Sequence, residues 1–519
     1  MNATAPPSSM VPGLRRTMVT ICAMTATIMQ ALDTTIANVA LPYMQGTLSA
    51  SQDQINWVLT SYIVAAAIMT APVGWIANRF GRKRIFIICS AGFTVASVLC
   101  GLAQDINQMV LFRLMQGVFG AALVPLSQAV MLDSYTLQER AKAMSIWGMG
   151  VMMGPIMGPS LGAWLTETYS WHWVFFVNLP FGIITVLGLV IFMDETRQNT
   201  ALRFDWFGFT ALAVAIGSLQ LALDRGEQLG WLESNEIIAE FIISAIGFYY
   251  FLAHSLTTSQ PFIQFALFKD KNFVGGCVFM TVMGLVLFST MALSSPFLQN
   301  VIGYPIITAG LLLASRGCGT FVAMMLVGRM MRYIEARTLI IAGLSLTCAS
   351  LYYMTFWTDQ TGVPEIVTVS IVQGFGFGLV FVPLSTVAFL TLPNHLRTDG
   401  TSMLTLLRNV ASSVGISLVI AQLTQGTRYN HAILNEHINP FNHAMQMPQV
   451  RSMLDMATDK GRAMADLIVT TQAQIIAFSQ DYQMVMIFTA LVIPLAIMIG
   501  STKAALRKQA AGPEHAVME

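Results

Sequence analysis

Charged side chains are scarce in this sequence. Of 519 residues only 10% are Asp, Glu, Lys or Arg, while 55% are hydrophobic and mean hydropathy is +0.64. Average soluble domains carry about a quarter of their residues charged, so a water-soluble domain of this size is excluded. The net charge of +1 gives no electrostatic footprint for nucleic acid. Six cysteines (22, 89, 100, 277, 318 and 348) all lie in apolar runs. They match no metal-ligand spacing and no disulfide framework, and read as small apolar fillers. No G-x-x-x-x-G-K-[ST] segment occurs, which excludes an ATP-driven pump of the phosphate-loop type. The apolar runs hold one deep carboxylate, Asp33, and three arginines, Arg113, Arg316 and Arg408. That is too sparse for a membrane enzyme, so no catalytic residue, metal or cofactor is expected. The N-terminus carries no cleavable signal pattern.

What the chain has is apolar runs of membrane-spanning length. Fourteen are found, with cores at 17–41, 55–76, 85–102, 108–131, 143–165, 174–193, 207–223, 237–254, 273–295, 309–330, 338–356, 366–390, 402–423 and 482–500. With the N-terminus inside, the inner loops and ends hold 19 Lys and Arg and the outer loops hold five: Arg225, Arg428, Arg451, Lys460 and Arg462. This bias places both termini in the cytoplasm. Most connections are short, but residues 424–481 form a long outer loop. Val450–Met464 and Ala465–Phe478 within it are candidate amphipathic helices. His431, His437 and His443 lie six apart, which suits no common metal motif.

A weak repeat divides the chain. Gln116-Gly117 with Val124-Pro125-Leu126-Ser127 is echoed by Gln373-Gly374 with Val382-Pro383-Leu384-Ser385, and Val73-Gly74 by Val327-Gly328. The shift leaves six spans on each side and two in the middle, a known plan for alternating access around a midplane cavity. The expected fold is an all-α membrane protein with 14 transmembrane helices (6 + 2 + 6). Its parts are a cytoplasmic segment 1–16, a six-helix bundle 17–193, two linker spans 194–272, a second bundle 273–500 containing loop 424–481, and a cytoplasmic tail 501–519.

Candidate functional residues follow from depth and spacing. An isolated charge at bilayer depth costs about 2.5–3.5 kcal/mol on insertion scales and needs a cavity or partner. Asp33 shares one helical arc with Thr27, Gln30, Thr34 and Asn38, while Ile28, Leu32, Ile36 and Val39 face away. The arc reads as cavity-facing, with Gln30, Thr34 and Asn38 as lining. Burial and a movable cation shift a carboxylate in opposite directions, so such an acid can load and release a proton; a structural polar residue tying helices together is the alternative. Gly150, Gly154, Gly158 and Gly162 recur every fourth residue with Pro155 and Pro159 among them. That face admits a close helix neighbour, and the prolines make a bending point.

These segments together resemble a family. Leu32-Asp33-Thr34-Thr35-Ile36-Ala37-Asn38-Val39-Ala40-Leu41-Pro42, Gly74-Trp75-Ile76-Ala77-Asn78-Arg79-Phe80-Gly81-Arg82-Lys83-Arg84, and Leu111-Phe112-Arg113-Leu114-Met115-Gln116-Gly117 match three of its motifs. The Gly/Pro stretch of span five, Trp171–Pro180 and Leu223-Asp224-Arg225-Gly226 match others. In this order they make the chain similar to the fourteen-span drug:proton antiporters of the major facilitator superfamily. The resemblance implies a major facilitator fold in a bacterial inner membrane and proton coupling through Asp33 and Arg113. It also implies a cytoplasmic gate with Gly74, Arg79, Gly81 and Arg82, and a helix-five bend at Gly150, Gly154, Pro155 and Gly158. The implied activity is proton-coupled efflux of hydrophobic or amphipathic toxic compounds, such as antibiotics, uncouplers and cationic peptides. The long outer loop and its Asn439-Pro440-Phe441-Asn442 segment suit the pump of a three-part exporter. Its implied partners are a periplasmic membrane-fusion adaptor and an outer-membrane channel. The loop alternatively caps the outer gate, and a proton-coupled carrier of a physiological metabolite is the rival on the same fold. Two departures from the motifs stand out: Asn78 occupies a position usually held by Asp, and Gly158-Pro159 one usually held by two glycines.

Overall fold

The computed structural model describes residues 13–498 except 137, 197, 201–202, 259–260, 440–441, 444–446, 448–449, 451–453 and 455; at 52, 53, 155, 497 and 498 it describes the backbone alone. Helices dominate, in the order α1 Gly13–Thr47, α2 Gln52–Thr70, α3 Val73–Phe80, α4 Arg82–Gly101, α5 Ile106–Gly120, α6 Leu123–Ser134, α7 Arg140–Thr168, α8 Trp173–Phe176 and α9 Asn178–Phe192. After these come α10 Trp206–Leu229, α11 Asn235–Thr257, α12 Lys271–Pro296, α13 Ile306–Met330, α14 Ala336–Met354, α15 Val363–Val387, α16 Arg397–Glu436 and α17 Asp459–Val492.

Polar residues at the span ends set where the helices start. Ser51 and Gln54 form a reciprocal capping box on α2, with Gln54 N donating to Ser51 Oγ at 3.3 Å and Ser51 N to Gln54 Oε1 at 3.0 Å. Asp105, Asp205, Asp270 and Thr458 accept from backbone N–H groups of α5, α10, α12 and α17. Proline supplies the breaks. Pro72 separates α2 from α3, and the pair bends by 56°. Pro125 sits in the first turn of α6, where its missing N–H costs no intrahelical bond.

Among the described residues, twelve helical segments are long and apolar enough to cross a membrane, thirteen if α2 and α3 form one bent span. The remaining long helix, α7, has 29 residues, about 43 Å of rise, and packs between α1 and α13. In the first half α1 packs on α7 and α9, α2 on α5, and α4 on α5 and α9. In the second α13 and α14 pack on α15, α12 on α16, and α17 on α14 and α16. Helices α10 and α11 pair with each other, and α10 lies against both α2 and α16. The halves meet where α7 contacts α13 and where α3 and α6 contact α16. Trp147 stacks on Phe381 across this seam at 5.8 Å. The outward side chains Ile183, Ile184, Leu187 and Ile191 of α9 and Ile242, Ile243 and Ile246 of α11 are exposed. Such apolar faces have lipid as their natural solvent.

One expected boundary changes. The stretch 424–481 is mostly not loop: α16 continues to Glu436, and α17 begins at Asp459, 23 residues before the apolar run at 482–500. Ala465–Phe478 is helical, but as part of α17, whereas Val450–Met464 is not one helix: α17 starts inside it and 451–453 and 455 lie outside the described residues. The last run turns to 3-10 helix over Ile493–Met498.

Candidate functional site

The densest buried polar cluster sits inside the first half, where α1, α5 and α9 converge. Asp33 is fully buried. Its Oδ2 pairs with Arg113 Nη1 at 2.7 Å, and its Oδ1 accepts from Gln116 Nε2 at 2.7 Å and from Asn178 Nδ2 at 3.1 Å. Arg113 also donates from Nε to Val58 O at 3.0 Å and from Nη1 to Gln116 Oε1 at 2.7 Å. Its guanidinium lies over the Tyr62 ring, 4.3 Å from the centroid. Asn178 reaches on to Ser97 Oγ at 2.9 Å. Removing one member of such a pair strands a buried charge, at about 3–5 kcal/mol.

The polar arc of α1 splits. Thr27 and Asp33 are sealed in the bundle, Thr27 donating to Ser127 Oγ at 2.7 Å. Gln30 and Thr34 are half-buried and Asn38 is exposed, so these three, not Asp33, have access to space outside the bundle. Gln30 Nε2 links the two sets by donating to Tyr62 OH at 3.3 Å.

The glycine face of α7 lies on α1. A Cβ on Gly150 would fall 2.9 Å from Met24 Cε, one on Gly154 2.6 Å from Ala31 Cβ, and one on Gly158 2.9 Å from Thr35 Cβ. Thr35 Oγ1 donates to Gly154 O at 2.9 Å. Helix α7 runs as one helix through Pro155 and Pro159. The next face of α7 contacts α13, where Gly317 faces Ile156 and Gly328 faces Ser145. Thus α7 touches both the helix that carries Asp33 and the second half.

The basic loop forms a clasp between the halves. Asp133 at the end of α6 pairs with Arg82 of the same half and with Arg397 Nη1 of α16 at 2.7 Å. Arg140 Nη1 donates to Phe389 O at 3.3 Å. Asn78 Nδ2 donates to Asp399 Oδ2 at 3.2 Å, also across the seam. Gly74 is needed there because a Cβ would lie 2.7 Å from Asp399 Cα. Gly81 turns at φ +94°, a left-handed value that favours glycine. Arg79 is half-buried, with Nη1 unpartnered among the described residues.

Behind the clasp, the segment after α9 holds the loop in shape. Glu195 accepts from Lys83 N at 3.1 Å and Arg84 N at 3.0 Å, capping α4 from outside its own sequence. Thr196 Oγ1 accepts from Arg82 N at 3.0 Å, and Gln198 Nε2 donates to Phe80 O at 3.1 Å.

Sequence reasoning named Asp33, Arg113, Gly74, Gly81 and Arg82 but missed their partners. Gln116 and Asn178 lay inside quoted motifs without an assigned role, and Asp399 and Glu195 carried no signal. Asp481, assigned to the outer loop, lies in α17 and is fully buried, with neither oxygen hydrogen-bonded among the described residues. Asp33 is therefore not the chain's only buried carboxylate within a spanning helix.

Known proteins match this chain along most of its length. The Major Facilitator Superfamily model covers residues 23–416. Multidrug export protein EmrB of Escherichia coli strain K12 is 33% identical over 477 residues, 91% of this chain and 93% of that protein. EmrB of Haemophilus influenzae is 34% identical over 432 residues, covering 83% and 84%. Fatty acid resistance protein FarB of Neisseria gonorrhoeae is 34% identical over 419 residues, covering 80% and 82%. Among solved structures, the human organic anion transporter MFSD10 aligns with a TM-score of 0.57 at 11% identity, over 93% of this chain and all of that one. The proton:xylose symporter XylE aligns with a TM-score of 0.57 at 13% identity, over 93% and 96%. Identities this low speak for fold alone.

Proposed function

Because the chain belongs to the major facilitator superfamily, and within it to the EmrB-type multidrug efflux transporters of the bacterial inner membrane, we propose that it expels amphipathic toxic compounds in exchange for protons. The observation that carries the proton coupling is the closed set Asp33–Arg113–Gln116–Asn178. Protonation of Asp33 removes the charge that holds Arg113. Arg113 then keeps Val58 O, Gln116 and the Tyr62 and Phe175 rings, and α1 is held less tightly to α5 and α9. Because α1 lies on the glycine face of α7, and α7 on α13, the shift passes to the seam between the halves.

In this reading Gln30, Thr34 and Asn38 line the substrate path, and the prolines of α7 let that helix flex about Gly150, Gly154, Pro155 and Gly158. The clasp of Gly74, Arg79, Gly81 and Arg82 with Asp133 and Arg397 closes the cytoplasmic mouth. Counting α7 gives fourteen spans with both termini cytoplasmic, arranged as bundles 17–193 and 273–500 around linker spans 194–272. The outer continuation of α16 and α17 then docks a periplasmic adaptor that leads to an outer-membrane channel. Its length supports this: α16 runs 13 residues past the apolar run ending at 423, about 20 Å.

The test is substrate uptake into inside-out vesicles under an imposed proton gradient. Uptake that collapses when the gradient is dissipated supports the reading. Uptake indifferent to the gradient contradicts it.

A further inference from the structure

The two halves differ in how they treat a buried arginine. In the first half Arg113 has a carboxylate, two acceptors and an aromatic face. In the second half Arg316 lies ten residues into the 25-residue α13 and is only 6% exposed. Its one hydrogen bond runs from Nη2 to Ser294 Oγ at 3.2 Å, and its Nε has no acceptor among the described residues. No carboxylate lies within ion-pair distance of it among the described residues. Arginine stays charged at any relevant pH, and a fixed cation at this depth needs a counter-charge or a water-filled cavity.

The surroundings of Arg316 are also incomplete. Ser294 Oγ stands 3.5 Å from Tyr482 OH. Trp357, whose ring lies 6.0 Å from that of Tyr482, is buried with Nε1 unpartnered among the described residues. Gln373, the repeat counterpart of Gln116, has Oε1 unpartnered among the described residues, where Gln116 bonds both members of its ion pair. Asp481 is the acid nearest in sequence to this group, but it lies on another face of α17. It continues the four-residue stripe Gly461, Ala465, Val469, Ala473 and Ala477, whose Ala477 packs on Gly426 of α16. Tyr482, one residue on, is turned about 100° away toward Ser294 of α12.

We infer that Arg316, with Ser294 and Tyr482, is the subsite for the anionic head of an amphipathic substrate, whose apolar body lies along the Trp357 and Phe297 rings. The bound anion supplies the counter-charge that Arg316 lacks among the described residues. Proton and substrate are thereby divided between the halves: Asp33 takes the proton in the first, and Arg316 takes a carboxylate-class anion in the second. This deepens the export reading by naming a substrate class and rests on it for transport, though not for binding.

The test is binding to the purified full-length protein in nanodiscs of zwitterionic phosphatidylcholine. The probes are 1-naphthylacetate and 1-naphthylethylammonium, which share a ring system and differ in charge. The wild type should prefer the anion. Arg316→Gln should weaken anion binding roughly thirtyfold or more and leave the cation within about twofold, and Arg316→Lys should recover part of the loss. Asp481→Asn should leave anion affinity unchanged. The inference is overturned if the wild type shows no anion preference, if Arg316→Gln lowers both probes alike, or if Asp481→Asn raises anion affinity tenfold, which would make Asp481 the counter-ion. Should Arg316→Gln not fold, the wild-type preference and its reduction in Ser294→Ala decide. Competition by added phosphatidylglycerol would assign the site to a lipid head and overturn the substrate role. Loss of gradient-driven transport with anion preference intact would count against the export reading alone.

Discussion

Restoring the usual motif residue at position 78 should damage this transporter. Asn78 Nδ2 donates to Asp399 Oδ2 at 3.2 Å, across the seam between the halves. Asn78→Asp removes that donor and places a second carboxylate against the first. Two unit charges at the observed 3.2 Å repel by about 5 kcal/mol at an effective dielectric of about 20. Asp399 is only half-buried, and one acid can take up a proton or swing away. About 1–3 kcal/mol should remain, which opens the clasp about fivefold to 150-fold more often. Exchange of the pair, Asn78→Asp with Asp399→Asn, rebuilds the amide–carboxylate contact and should restore closure. The assay is maleimide labelling, in inside-out vesicles, of a cysteine placed at Met403 near the clasp, in a background without the native cysteines. Labelling should speed up in Asn78→Asp and return toward the parent rate in the exchanged pair. Unchanged labelling in the single variant, or a pair as open as the single, would refute the reasoning.

Three further outcomes are expected. Glu195→Ala strips the acceptor from Lys83 N and Arg84 N; losing such a cap costs about 1–2 kcal/mol, read as a lower unfolding temperature together with faster labelling at the clasp, and an unchanged temperature would argue against the cap. Gly158→Leu forces side-chain atoms into Thr35 of α1; overpacking of about 1–3 kcal/mol should cut transport at least tenfold at normal membrane insertion, whereas wild-type rates would show that α1 and α7 need not stay close. Deleting 437–458 between α16 and α17 should spare gradient-driven transport in vesicles and abolish resistance in whole cells; equal loss of both would make the outer hairpin part of the pump's own gate.

The fold was legible because its signals are local. Apolar run length, which marks the helices, needs only a short window. Partnership was not, because it is set between helices far apart in sequence. Asp33 and Arg113 were both visible as charges in apolar runs, but nothing in either helix says that Gln116 and Asn178 close the set. Likewise Asn78 read as a missing charge, whereas the acid stands on the opposite side of the seam at Asp399. The ends of α16 and α17 were misread for a different reason. Hydropathy is lower along the first part of α17, although the helix is continuous, so the apolar window opened only after Asp481. The four-residue stripe from Gly461 to Ala477 was the signal that would have extended it.

The most direct measurement of the central claim is proton-linked drug movement by Asp33→Asn in proteoliposomes. The asparagine Oδ1 still accepts from Gln116 and Asn178, and Arg113 keeps Val58 O and Gln116; the lost ion pair lowers stability by about 3–5 kcal/mol, so the variant is compared with the wild type at matched membrane insertion. An imposed pH gradient should drive substrate accumulation with matching proton release in the wild type. In Asp33→Asn it should drive neither, while exchange of substrate down its own gradient persists. Wild-type accumulation by Asp33→Asn, with the same proton flux, would contradict the account.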